Sequence, residues 1–262
     1  MRRLGVAAVL SGMLLVACAA PADEPTPEPT VQPTAVRSGS ASPSEAEPPP
    51  GLEPAAVEES FTCLTELPAS QWLVDEEAGI AGALAGSGET LVILSRQVNG
   101  DLCSWAFFAE QLTDAGYQVG LPSYRSGDPI ALQLGLAATA REQGVEDVLL
   151  VGASMGGTYA LGAAAVMDPA PAGVVALSPP SEFDPPGPAP VVDAVAAADE
   201  LAAPLLVLVG AEDAAFVGPA ESIGAAAGVD PVVLEADEHG IALVREHDDV
   251  RQQVVDFIAD PR

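Results

Sequence analysis

Apolar and polar residues fall into blocks of different character along the chain. Residues 4–17 form an apolar run behind Met1-Arg2-Arg3, whereas residues 19–60 hold ten prolines, eight acidic residues and no aromatic. From Phe61 onward, short apolar runs recur between polar turns. Residues 71–74 and 80–84, separated by the acidic turn Asp75-Glu76-Glu77, read as an antiparallel hairpin. Gly86-Ser87-Gly88 then turns into a wholly apolar strand at 91–94. Ser104 stands where the next helix would be N-capped. Behind it, Trp105, Phe108, Ala109 and Leu112 share one face at helical spacing, and Gly116 closes the element. A strand at 117–121 follows, and Asp128-Pro129 opens a helix that runs to Gln143 and stops at Gly144. Further strands are expected at 148–151, 173–177, 205–209 and 232–234, with a short helix at 191–201 and a C-terminal helix at 246–258. Fully apolar strands alternating with helices predict an α/β domain over residues 61–262, a mostly parallel sheet covered on both faces. In such sheets chemistry gathers at the carboxyl ends of the strands.

Charge narrows the partners. The chain carries 38 Asp and Glu against 9 basic residues, all of them Arg, for a net charge of −29. Most of that excess reads as a solvated acidic surface. Nucleic acid and an anionic membrane surface are poor electrostatic partners for it. The acidic runs 235–238 and 246–249 lack metal-ligand spacing and read as part of the same surface, so no metal and no organic cofactor is expected.

The chain is organised around Gly152-Ala153-Ser154-Met155-Gly156-Gly157, which lies between the strand at 148–151 and the small-residue helix 158–166. Gly-x-Ser-x-Gly at a strand-to-helix turn is a nucleophile elbow. The turn is sharp and strained, so the positions two before and two after the serine must be nearly free of side chain. The serine hydroxyl then projects above the sheet edge, and the Met155 N–H at the helix start points toward a developing oxyanion. A serine nucleophile needs a base, and the base needs an orienting carboxylate. The chain has only His239 and His247 to offer. His239 sits in the loop after the 232–234 strand, whereas His247 sits among Arg245, Glu246, Asp248 and Asp249 in the expected terminal helix. His239 is therefore the candidate base. The loop after the 205–209 strand offers Glu212 and Asp213, with Asp213 preferred.

With these residues in place, the chain resembles the α/β-hydrolase superfamily from about Gln71 to Ala259. The order Ser154, Asp213, His239 matches that family's nucleophile, acid and base. The resemblance implies an α/β-hydrolase fold and a Ser-His-Asp triad acting on ester-type acyl bonds. It also implies a second oxyanion N–H from the loop after strand 91–94, where this chain has Ser95-Arg96-Gln97 in place of the frequent His-Gly. Gln97 is the expected donor, with Val98 as the alternative. The Arg96 side chain either binds an anionic substrate group or lies on the surface. Where the family inserts a lid, there are only the 27 residues 178–204, so the site should be open. That economy resembles the small dienelactone-hydrolase-like and carboxylesterase-like members, acting on small-molecule esters. Two other readings stay open: an inactive binding protein with this fold, and an acyltransferase or peptidase with the same triad.

The N-terminal block bears on location. Leu15-Val16-Ala17-Cys18 resembles the lipobox of bacterial lipoproteins, which implies a signal peptide at 1–17 and a lipidated Cys18 on the outer face of a bacterial membrane. Ala17-Cys18-Ala19 also fits an ordinary secretory cleavage site. Residues 18–60 read as a disordered Pro-rich, acidic tether, because they cannot bury enough surface to offset their ordering entropy. With Cys18 set aside, Cys63 and Cys103 remain as an even pair, and an oxidising compartment favours a disulfide between them.

Overall fold

The computed structural model describes residues 51–57, 61–124, 127–185 and 189–262. The expected signal peptide, Cys18 and most of the tether lie outside the described residues. The strands are β1 (Glu53–Ala55), β2 (Gln71–Asp75), β3 (Ile80–Gly86), β4 (Thr90–Ser95), β5 (Gln118–Ser123), β6 (Asp147–Ala153), β7 (Gly173–Leu177), β8 (Glu182–Phe183), β9 (Val192–Asp193), β10 (Leu205–Gly210) and β11 (Val232–Leu234). The helices are α1 (Ala106–Asp114), α2 (Pro129–Glu142), α3 (Met155–Val166), α4 (Ala194–Asp199), α5 (Ala214–Ala227), α6 (Ile241–Glu246) and α7 (Asp248–Ala259).

Nine strands make one sheet in the order β1-β2-β3-β5-β4-β6-β7-β10-β11. From β5 to β11 every neighbouring pair is parallel, and β1, β2 and β3 extend the sheet as antiparallel strands. The expected architecture, a mostly parallel sheet with an N-terminal antiparallel hairpin and helices on both faces, is the one observed. Period-two alternation divides the core: Val92 and Leu94 of β4 face α1, α6 and α7, while Leu91 and Ile93 face α2 to α5. The hairpin turn is closed by Asp75, whose Oδ1 accepts from the N–H groups of Glu77 and Ala78. Asp128 caps α2 with Pro129 behind it, its Oδ1 accepting from Ile130 N at 2.8 Å.

Four boundaries differ from expectation. Leu52 is buried and β1 pairs with β2, so the folded unit begins upstream of Phe61, inside the stretch expected as tether. Pro54 is tolerated there because β1 is an edge strand. Ser104 does not cap α1. It belongs to a 3-10 turn, Leu102–Trp105, where its Oγ accepts from Asp101 N, and α1 starts only after Trp105. The helix expected at 191–201 is shorter, because Asp193 caps it and β9 occupies the preceding residues. The helix expected at 246–258 starts only at Asp248, because His247, with φ/ψ of −117°/106°, separates it from a further short helix, α6. Asp248 and Asp249 in the first turn of α7 favour a fresh helix start there.

Cys63 and Cys103 are bridged, with Cα atoms 5.7 Å apart across a separation of 40 residues. Closing that loop stabilises the chain by about 4 kcal/mol in the chain-entropy picture. The bridge ties the 3-10 turn Thr62–Thr65 to the turn that precedes α1.

Candidate active site

The elbow follows from the β6–α3 junction. Ser154 has φ/ψ of 50°/−123°, outside the ordinary regions for a residue with a side chain. Its N–H donates to Leu177 O at 2.8 Å, which anchors the turn to β7. A Cβ on Gly152 would lie 2.1 Å from Gly156 O, and one on Gly156 would lie 2.2 Å from Ser95 O. Both positions must therefore be glycine for α3 to begin this close to β6 and β4. Ser154 is 7% exposed, at the carboxyl end of the sheet. Met155 supplies the first N–H of α3, which has no intrahelical acceptor. The loop after β4 lies alongside, since Ser95 pairs with Gly152 in register.

Two strand-end loops meet at Asp213 and His239. The parallel pairing of β10 with β11 continues past the strands: Ala211 N donates to Leu234 O at 2.7 Å, and Glu212 N to Ala236 O at 3.1 Å. This zipper carries Asp213 to His239, where Asp213 Oδ2 lies 2.7 Å from His239 Nδ1. Side-chain exposure is 12% for the aspartate and 30% for the histidine, so the contact is partly shielded from water. Phe216, one turn into α5, packs on the imidazole with ring centroids 4.3 Å apart. Glu212, the alternative acid, points into solvent. Ser154 Oγ makes no hydrogen bond among the described residues; the structure joins Asp213 and His239, the candidate acid and base.

Two side chains the sequence did not single out for this purpose hold the base loop. Gly240 N donates to Ser178 Oγ at 3.3 Å, and Ile241 N donates to Gln97 Oε1 at 2.9 Å. These are the two amides immediately after His239. Gly240 has φ of +60°, and a Cβ there would lie 2.6 Å from Gln97 Oε1 and 3.3 Å from Ala153 Cβ. The His239–Gly240 turn thus packs on Ala153, the residue before Ser154. Ser178 is fully buried with φ of +46°, at the end of β7. A polar residue at a strand's carboxyl end was a legible signal. Its target, a backbone N–H 62 residues away, was not. Gln97 was expected only as an oxyanion N–H, and its side chain has this separate use.

Arg96 does not lie free on the surface. It lines a pocket of about 230 Å³ that also includes Met155, Tyr124, Tyr159, Phe183 and Pro185. Phe183 and Pro185 come from the span expected to leave the edge open. Among its described residues, Phe183 of β8 and Pro185 form part of the pocket wall. His247 contacts Glu238 instead, at 2.8 Å through Nε2.

No family model matches the chain, and no curated protein matches it in sequence. Its fold does match solved structures. An esterase of Pyrococcus furiosus is similar with a TM-score of 0.61 and 14% identity, over 80% of this chain and 96% of that one. A thermophilic esterase of Thermogutta terrifontis matches with a TM-score of 0.55 and 18% identity, over 68% and 94%. The enol-lactonase of Burkholderia xenovorans matches with a TM-score of 0.55 and 16% identity, over 69% and 97%. The architecture is the α/β-hydrolase fold, in agreement with the resemblance read from the elbow and the order of the three loops.

Proposed function

We propose that the chain is a serine hydrolase that cleaves ester-type acyl bonds of small substrates, with Ser154 as nucleophile, His239 as base and Asp213 as the orienting acid. The observation that carries this reading is the strained serine at φ 50° beside a 2.7 Å His239–Asp213 contact. With Nδ1 held by Asp213, Nε2 is the nitrogen that takes the Ser154 proton as Oγ bonds to the acyl carbon. The tetrahedral oxyanion faces Met155 N–H and an N–H of the Gln97 loop. Collapse breaks the ester C–O bond, and the proton passes from Nε2 to the departing alkoxide. Water then repeats the sequence on the acyl-enzyme, releasing the acid and restoring Ser154. Esterases and a lactonase among proteins of the same fold favour ester chemistry over the other acyl transfers a triad can perform.

The location belongs to the same proposal. The Leu15-Val16-Ala17-Cys18 tetrad supports export and lipidation of Cys18, and the Cys63–Cys103 bridge fits an oxidising compartment. Acyl chains at about 0.8 kcal/mol per buried methylene would hold the domain at a membrane its charge does not attract. Intact-mass analysis of membrane-extracted protein checks this: a mature N-terminus beyond Cys18 without acyl mass refutes it.

The catalytic reading is tested with a fluorophosphonate and a panel of nitrophenyl esters of increasing chain length. The wild-type protein should be labelled and should hydrolyse short esters, Ser154→Ala should take up no label, and His247→Ala should label normally. A folded, oxidised wild-type protein that takes up no label and turns over no ester would be a binding protein built on this fold.

A further inference from the structure

The pocket beside the elbow is apolar over most of its wall. Tyr159 is part of that wall, edge-on to Tyr124 at 5.1 Å and to Phe183 at 5.6 Å. Burial raises the Tyr124 phenol well above its ordinary pKa and pushes Tyr159 up to about 12, so both stay neutral at working pH. Among the described residues, Arg96 is the only charged side chain on the wall. Its charge acts on Tyr159 more strongly than those of Asp128 and Asp184, and Asp128 Oδ1 is engaged in capping α2.

The guanidinium is placed by neutral partners. Nη1 donates to Gln97 O at 3.0 Å, Nη2 to Tyr124 O at 3.4 Å, and the group lies 5.4 Å from the Tyr124 ring centroid. No carboxylate among the described residues pairs with it, although the chain holds 38 acidic residues. Arg251 and Arg262 show the alternative, since each takes a neighbouring aspartate. Five N–H donors on a planar fork, two of them committed to carbonyls, leave donors for an incoming anion in a half-buried, mostly apolar site. A charge-assisted hydrogen bond is worth most in such surroundings.

We infer that this pocket binds the acyl or alcohol portion of an ester whose far end carries a carboxylate, and that Arg96 is the residue that binds it. The inference rests on the hydrolase reading for the meaning of substrate, and it adds the substrate's charge. The pocket volume suits a short chain or a single ring, and the neutral aromatic wall accepts the carbons between the two ends.

The test compares acyl groups of equal length that differ only at the end. For the wild-type protein, kcat/KM is measured for the mono-4-nitrophenyl esters of adipate and suberate and for 4-nitrophenyl hexanoate and octanoate. The acid-bearing member of each pair should be favoured about tenfold or more. Free adipate should protect Ser154 from the fluorophosphonate, and 1,6-hexanediol should not. Arg96→Gln should reverse the order within each pair, because the carboxylate then meets an acidic protein without a partner, and Arg96→Lys should restore part of it. Equal or neutral-favouring ratios in the wild-type protein, or a preference that survives Arg96→Gln, overturn the inference. Should Arg96→Gln not fold, the wild-type ratios and the protection experiment decide alone. If no ester is hydrolysed at all, the hydrolase reading fails separately. Calorimetry of adipate on Ser154→Ala then decides the subsite, with binding expected and its absence fatal.

Discussion

His239 and His247 each hold a carboxylate, Asp213 at 2.7 Å and Glu238 at 2.8 Å, and both contacts involve the loop after β11. The first uses Nδ1, beneath Phe216, with Gln97 and Ser178 gripping the two amides that follow. The second uses Nε2 at the break between α6 and α7, beside Glu246, Asp248 and Asp249. Contact length therefore does not separate the pair proposed as catalytic from the other one. The two differ in which nitrogen is engaged and in what fixes the ring. Glu238 and His239 are adjacent in sequence, so one loop carries a member of each pair.

The comparison breaks most visibly at Asp213. Asp213→Asn should lower kcat about 10³- to 10⁴-fold by favouring the wrong imidazole tautomer, the size the same change has in the serine-protease example. Glu238→Gln should leave kcat within about threefold, because that contact engages no reacting group. Steady-state kinetics on the best short ester checks both. A loss for Glu238→Gln as large as for Asp213→Asn would mean that the outer pair also sets the base.

The clamp on the base loop comes next. Gln97→Ala and Ser178→Ala each free one backbone N–H after His239, and the turn that carries the imidazole loses an anchor. A displacement of about 1 Å costs on the order of 100-fold, so kcat should fall about 10- to 100-fold with KM changing far less. Gln97→Glu keeps an acceptor and should recover most of the loss, which separates positioning from simple destabilisation. Phe216→Ala should produce a smaller loss, about threefold to tenfold, by loosening the ring without touching its hydrogen bonds.

The smallest effect is expected at His247 and is read in stability. Its hydrogen bond with Glu238 raises the His247 pKa, and the same contact lowers that of Glu238. The histidine's contribution is full below its unfolded pKa near 6.5 and is lost as pH rises through the higher folded value. On the acid side the contribution is lost as pH falls through the lowered Glu238 value. His247→Ala should therefore lower Tm by about 1–2 °C near pH 6 and by nothing measurable near pH 9. Equal shifts at both pH values would show that His247 acts through packing at the helix break.

The three catalytic candidates were legible because each stands at the end of an apolar strand, and a short, wholly apolar run between turn signals reveals such strands in a parallel sheet covered on both faces. Ser154 was further marked by its two obligatory glycines. Gln97 and Ser178 were not legible as a clamp. Each hydrogen-bonds a backbone amide, and amides carry no sequence identity. The break at His247 was hidden by a run of residues that are all compatible with helix on either side. Pro54 made β1 look like tether, because an edge strand and a Pro-rich linker share composition.

The sequence by itself determined the order of the main elements, the parallel core and the glycine-flanked elbow, all of which depend on local spacing and residue chemistry. The tertiary structure alone decided where Arg96 points and what holds the loop after His239. Those outcomes depend on contacts spanning 28 to 144 residues. Burial and hydrogen bonding act on neighbours in space, and local pattern says nothing about which distant backbone group will arrive beside a given side chain.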